Sequence, residues 1–187
     1  MNSDPTVNID ANAVTAERFL EQVDDERLIA AYRYWDGLRG ARFAPAYAEV
    51  DPVDIPKLLP HLLVIEIEPS PAGRRYRYRL CGTAVEEYFG IAMRGLYIDT
   101  LMQGAYRDYI EGLYDRLVAQ RSPVYSVSTY DDRMMQTKRL MLPLSSDGVQ
   151  VDMVLAAQVF FRSAHLSNTV LAVQADFEPE LERIGGE

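Results

Sequence analysis

The stretch Val151–Phe161 reads VDMVLAAQVFF and is apolar almost throughout. A strand with one wet face would carry a polar residue at every second position, so this run fits a strand covered on both sides. That requirement limits the folds open to the chain, because other elements must pack above and below a single sheet. Candidates for the remaining strands are close by. LLVIEI (62–67) is β-rich, and RRYRYRL alternates, which sets Tyr76, Tyr78 and Leu80 on one face and Arg75, Arg77 and Arg79 on the other. PSPAG (69–73) between them reads as a turn, so the two are expected to form a hairpin with a loose loop. PVYSVSTY (123–130) and TKRLMLPLS (137–145) read as two further strands.

Helical patterns fill the rest. From Val14 to Asp36, Phe19, Val23, Ala30, Ala31, Tyr32 and Trp35 recur near helical spacing. Asp24-Asp25-Glu26 suits the start of a second helix, since carboxylates favour the positive end of the macrodipole, and Gly37 and Gly40 end it. In DPVDIPKLLP, Asp51 is placed to cap, Pro52 takes the first helical position and Pro56 forbids a long helix, which predicts short turns packed by Ile55, Leu58 and Leu59. After Gly82, Thr83 and Glu86 have capping-box spacing ahead of a short helix to Phe89. Residues 105–120 form a longer helix with Tyr106, Tyr109, Ile110, Leu113 and Leu117 in one stripe, stopped by Pro123. Two strands, short helices, a longer helix and three strands, joined by hairpin-length links, indicate an α+β fold. The expected divisions are a disordered 1–13, a helical segment 14–40, a core domain 41–165 and an acidic tail 166–187, with Val170–Val173 adding a short element.

The net charge of −9 is unevenly spread. Residues 1–26 hold seven acids against one arginine and residues 176–187 five against one, while the middle is near neutral with 17 basic and 16 acidic residues. A nucleic-acid binder needs a basic footprint, so that class is set aside. No run reaches the roughly 18 apolar residues of a membrane span, and the N-terminus lacks the basic start and apolar core of a signal peptide. With one cysteine, Cys81, the chain has neither an internal disulfide nor a thiolate zinc cluster. A cytoplasmic location is expected.

The order of elements, with Tyr34-Trp35, Pro45, Asp51-Pro52, Ile55-Pro56, Leu59-Pro60-His61, Tyr76-Arg77-Tyr78, Gly82-Thr83, Phe89-Gly90, Arg94-Gly95 and Leu140-Met141-Leu142-Pro143-Leu144, resembles a PAS domain. More narrowly, the chain is similar to a stand-alone family of bacterial PAS-superfamily proteins once grouped as a domain of unknown function. The resemblance spans about residues 27–160. It implies a five-stranded antiparallel sheet with helices on one face, preceded by an N-terminal helix. It also implies a regulatory or sensory role: a small molecule inside the fold and a signal passed to a protein partner. The ligand half of that reading requires a cavity on the order of 300 Å³. Only 26 residues follow Phe161, so the expected output is through a partner or self-association. A ligand-free adaptor or dimerising module is the alternative, and a small cavity enzyme is the third reading. For the last, Asp99 and Glu87 are the carboxylates to weigh, and nothing sets a second catalytic group beside either.

Tyr78, Tyr88, Arg94, Tyr106, Tyr109, Tyr125 and Met141 are the candidate ligand-binding residues, on elements that surround a PAS cavity. The tyrosine hydroxyls serve either the core or a polar ligand. Arg94 either clamps an anion or is an exposed turn residue. Tyr32 and Trp35 either pack the N-terminal helix or form a dimer seam. The glycine junction in RLCGTAVEEYFG lacks both G-x-G-x-x-G and a P-loop lysine, so it reads as a structural hinge rather than a phosphate cradle. Haem and flavin–cysteine photochemistry are not expected. Residues 105–120 hold no histidine, His61 and His165 stand apart, and Cys81 lies at a strand end outside any Asn-Cys-Arg-type motif. No metal site and no enzymatic activity are expected.

Overall fold

The computed structural model describes residues 20–21, 23–130 and 135–162. The expectations for 1–13, for the start of the first helix at 14–19, for Val170–Val173 and for the acidic tail lie outside the described residues. Five strands, β1 (Leu62–Ser70), β2 (Gly73–Cys81), β3 (Val124–Tyr130), β4 (Met135–Leu144) and β5 (Met153–Arg162), form one antiparallel sheet in the order β2-β1-β5-β4-β3. The apolar run thus lies at the centre. Within β5 its side chains alternate: Val154, Ala156 and Phe160 join one core, and Leu155, Ala157 and Val159 join the other.

One face, here the outer face, is covered by helix α1 (Glu26–Arg39), which crosses β4 and β5. Asp25 caps α1 by accepting from the Arg27 N–H at 2.9 Å, and Gly40 at φ 56° ends it. Leu28, Ala31, Tyr32 and Trp35 recur at i, i+3, i+4 and i+7 and are all buried. Trp35 Nε1 donates to the Pro143 carbonyl at 2.7 Å. Proline is tolerated in β4 because β3 pairs only as far as Met141, so Pro143 has no described strand on that side to bond with. Asp51 caps the turn Pro52–Asp54 through the Val53 N–H, as its position predicts, and two more such turns lie at Tyr47–Glu49 and Leu59–His61.

The inner face is covered by α2 (Thr83–Phe89), α3 (Ile98–Leu101) and α4 (Gly104–Gln120). In α4 the buried stripe is Tyr106, Ile110, Leu113, Tyr114 and Leu117; Tyr114 joins it and Tyr109 sits half-buried at its margin. The helix stops at Arg121, whose backbone turns left-handed at φ 51°, two residues before Pro123.

Three local expectations are corrected. The β1–β2 hairpin is tight, because the strands continue to Ser70 and from Gly73, leaving only Pro71-Ala72 between them. Leu80 does not share a face with Tyr76 and Tyr78. A β-bulge places Arg79 as an extra residue between the pairs Ile65–Tyr78 and Val64–Leu80, which turns Leu80 to the outer face and Cys81 to the inner one. Thr83 does not cap α2, since it is already helical and Gly82 occupies the cap position without a side-chain bond.

Where α1 leaves the outer face bare, ion pairs cover it. Glu66 meets Arg77 and Arg79 at 2.5 Å each, and Glu68 meets Arg77 at 2.7 Å and accepts from Tyr97 at 2.8 Å. Residues 95–97 run along the edge of β2, with Tyr78 N–H donating to the Leu96 carbonyl and Gly95 N–H to the Tyr78 carbonyl.

Gly82 stands where the chain leaves the sheet. A Cβ there would come within 2.4 Å of the Leu59 and Pro60 carbonyl oxygens. Those atoms are backbone and have no rotamer to yield. Gly82→Ala is therefore expected to destabilise the domain by about 1–3 kcal/mol, read as a lower urea midpoint at unchanged m-value.

Candidate functional site

Inward-facing positions of a two-sided sheet are normally apolar, and this inner face breaks that rule at one place. Ser126 on β3, Arg139 on β4 and Gln158 on β5 are direct cross-strand partners, and Ser128, Thr137 and Phe160 form the next row. Ser126, Thr137, Arg139 and Gln158 are all at most 5% exposed. They are four of the five buried polar side chains among the described residues. Buried polar groups cost free energy unless paired, so a cluster of them at the centre of a core points to a role other than packing.

Arg139 is held by hydroxyls. Its Nη1 donates to Ser128 Oγ at 2.7 Å and its Nη2 to Tyr106 Oη at 2.9 Å. Tyr109 Oη donates to Ser126 Oγ at 3.1 Å. Gln158 Nε2 and Thr137 Oγ1 are buried with no hydrogen-bond partner among the described residues. A buried polar group left without any partner costs about 1–3 kcal/mol.

Arg139 and Gln158 open onto a cavity between the sheet and the helices. Leu63, Tyr78 and Met141 line it from the sheet; Val85, Phe89, Met93, Met102, Tyr106, Ile110 and Tyr114 line it from the helical side. Its interior offers ≈ 10 Å³ to the centre of a water molecule, about the requirement of a single water. The cavity is therefore far tighter than the expected few hundred cubic ångströms. Burial pushes the Tyr78 and Tyr114 hydroxyls well above their ordinary pKa, while the nearby Arg139 charge pulls the other way. Both remain neutral at physiological pH.

Of the residues nominated from sequence, Tyr78, Tyr106 and Met141 line this cavity. Tyr109 lies beside it through Ser126, and Tyr88 stacks on Phe160 with ring centroids 3.7 Å apart. Arg94 is exposed in its turn. Tyr125 faces the outer core, so β3 carries it away from the cavity. Tyr32 and Trp35, on the sheet-facing side of α1, are 3% and 2% exposed, and that burial leaves almost no ring area for a partner. Arg139, Gln158 and Tyr114 were not nominated. Two signals were available: Gln158 interrupts the apolar stretch Met153–Phe161, and Arg139 shares the period-2 face of Met141.

The PAS domain family matches residues 23–158. The chain belongs to the PAS domain family. Among solved structures, the PAS domain from Bordetella pertussis BvgS is similar at 13% identity and a TM-score of 0.44, over 73% of this chain and 89% of that one. No curated protein matches the chain. PAS domains are sensory and regulatory modules, generally without enzymatic activity. None of the described helices of this one is long and apolar enough to cross a membrane, and no group of three metal-ligating side chains occurs among its described residues.

Two side chains near the PAS core are shifted from their ordinary titration range. Burial, helped by the Glu86 charge, lifts the Cys81 thiol to about 12. Its alkylation by iodoacetamide at pH 8 is expected to run about a thousandfold slower than that of a free thiol and to recover in urea. His61 lies 3.4 Å from Arg27, which pairs with Asp25 at 2.8 Å. Burial and the Arg27 charge lower the imidazole pKa. The unfolded chain then takes up a proton more readily than the folded one, so stability falls as pH drops below about 6.5. His61→Gln is expected to flatten the stability profile between pH 6.5 and 5; equal slopes in the two proteins would contradict this.

Proposed function

We propose that this chain is a regulatory PAS module that senses a small molecule held against the inner face of its sheet and signals through a protein partner. The observation that carries the ligand half is the convergence of Ser126, Thr137, Arg139 and Gln158 in one buried patch that opens onto a cavity. A core built only for stability has no use for a buried guanidinium and an unsatisfied amide. The room a ligand needs comes from the wall. Met93 and Met102 are unbranched and adaptable, and with Phe89 they occupy the space next to the polar row. The partner half rests on family membership, since PAS domains often mediate protein interactions.

The narrowness of the cavity favours a second reading, a ligand-free interaction or dimerisation adaptor. Native and denaturing mass spectra of the purified protein separate the two. The expected result is a native mass above an integer number of chains by a fixed increment that disappears on denaturation. A clean apo mass, from protein purified rapidly without dialysis, would favour the adaptor, and the chain count in the same spectrum would say whether it is a dimer.

A further inference from the structure

We propose that His61 is a proton-operated latch: protonation of its ring releases the first turn of α1 from the sheet. The inference goes beyond the ligand-sensing reading and does not depend on it. Arg27, in the first turn of α1, places Nη1 3.4 Å from His61 Nε2. A guanidinium can only donate, so this contact requires the ring nitrogen to accept. A proton on Nε2 removes the acceptor and sets two cations against each other. Asp25, which caps α1, holds Arg27 through Nε at 3.1 Å and Nη2 at 2.8 Å. Cap, ion pair and ring contact are thus one assembly.

The charges around this assembly balance only while the ring is neutral. Arg27 and Lys138 lie over the Phe161 ring, 5.7 and 4.9 Å from its centroid. Asp25 answers Arg27 at 2.8 Å, and Asp24 answers Lys138 at 2.5 Å. An imidazolium adds a third cation to two carboxylates, beside the positive end of the α1 macrodipole. Burial and the Arg27 charge disfavour the protonated ring, while the Asp25 carboxylate and the Gln158 backbone of β5 oppose them and do not prevail. α2 also packs against the His61 turn. Its Glu86 accepts from the Met93 N–H at 3.2 Å and its Glu87 is exposed, and neither is among the charges that act on the ring. The latch is therefore closed above about pH 6.5 and opens as pH falls below it. Val23 and Leu28 flank Asp25 in sequence and are 4% and 0% exposed. Loosening the turn uncovers them, which converts a change of pH into an apolar surface for a protein partner to read.

The test is native-state hydrogen exchange at pH 7.5 and 5.5, corrected for intrinsic rates, on wild type, His61→Gln and Arg27→Gln, with an NMR titration of the His61 ring. The Ile29 amide, which donates to the Asp25 carbonyl at 3.0 Å, reports on the first turn. In wild type its protection is expected to fall at least threefold at the lower pH, and there to lie at least tenfold below that of the best-protected β5 amides. His61→Gln keeps an acceptor for Arg27 and takes up no proton, so it should remove the pH effect. Arg27→Gln removes the opposing cation, so the ring should titrate at a higher pH than in wild type and the fall at Ile29 should shrink. No fall in wild type, an equal fall in His61→Gln, or an unchanged ring midpoint in Arg27→Gln would each overturn the inference. So would an Ile29 amide as protected as β5 at pH 5.5, because the domain would then open as a whole. The mass spectra that test the ligand reading are a separate measurement, so either reading can fail alone.

Discussion

The central strand of this domain has no side turned to water, and the other elements are arranged around that constraint. Because Leu155, Ala157 and Val159 point one way and Ala156, Gln158 and Phe160 the other, two separate cores are needed. The outer one is closed by α1 through Tyr32 and Trp35, and the inner one by α2 to α4. The same constraint makes Gln158 informative. A polar side chain on a half-exposed strand can turn to solvent, but at this position it meets core in either direction. It is tolerated here beside Arg139, inside a small polar island ringed by apolar residues.

Irregularities in the sheet serve to separate the two cores. The bulge at Arg79 lets one short strand send Tyr76 and Tyr78 inward, then Leu80 outward, then Cys81 inward again. Without it Leu80 would crowd the tyrosines and the outer core would lose a contributor. Immediately afterwards Gly82 brings the chain against the Leu59 and Pro60 carbonyls, closer than any other residue could. The inner helices therefore start from a fixed point, and adaptability in their wall is left to the methionines further along.

Much of this was legible in the residues. Asp25 and Asp51 announced their caps, the α4 stripe announced its buried side, and the apolar run at 151–161 announced a doubly covered strand. The misreadings have physical causes. A bulge adds one residue without a compositional signature, so Leu80 was placed on the wrong side. Thr83 matched a capping pattern that a steric demand on Gly82 displaced by one position. For the candidate site, tyrosines on the elements around the cavity were visible, but the faces of β3 and β4 were not. That is why Tyr125 was nominated and Arg139 was not, although period-2 counting from Met141 places Arg139 inward.

The strip formed by residues 95–97 along β2 has a consequence beyond the core it helps to close. An open sheet can lengthen by recruiting an extended segment at either flank, which is a route both to regulated peptide capture and to unwanted polymerisation. On the β2 flank the Tyr78 amide and carbonyl are already engaged by Leu96 and Gly95, and Arg75, Arg77 and Arg79 crowd the approach with charge. At Tyr78, recruitment of a further strand along β2 is thereby blocked.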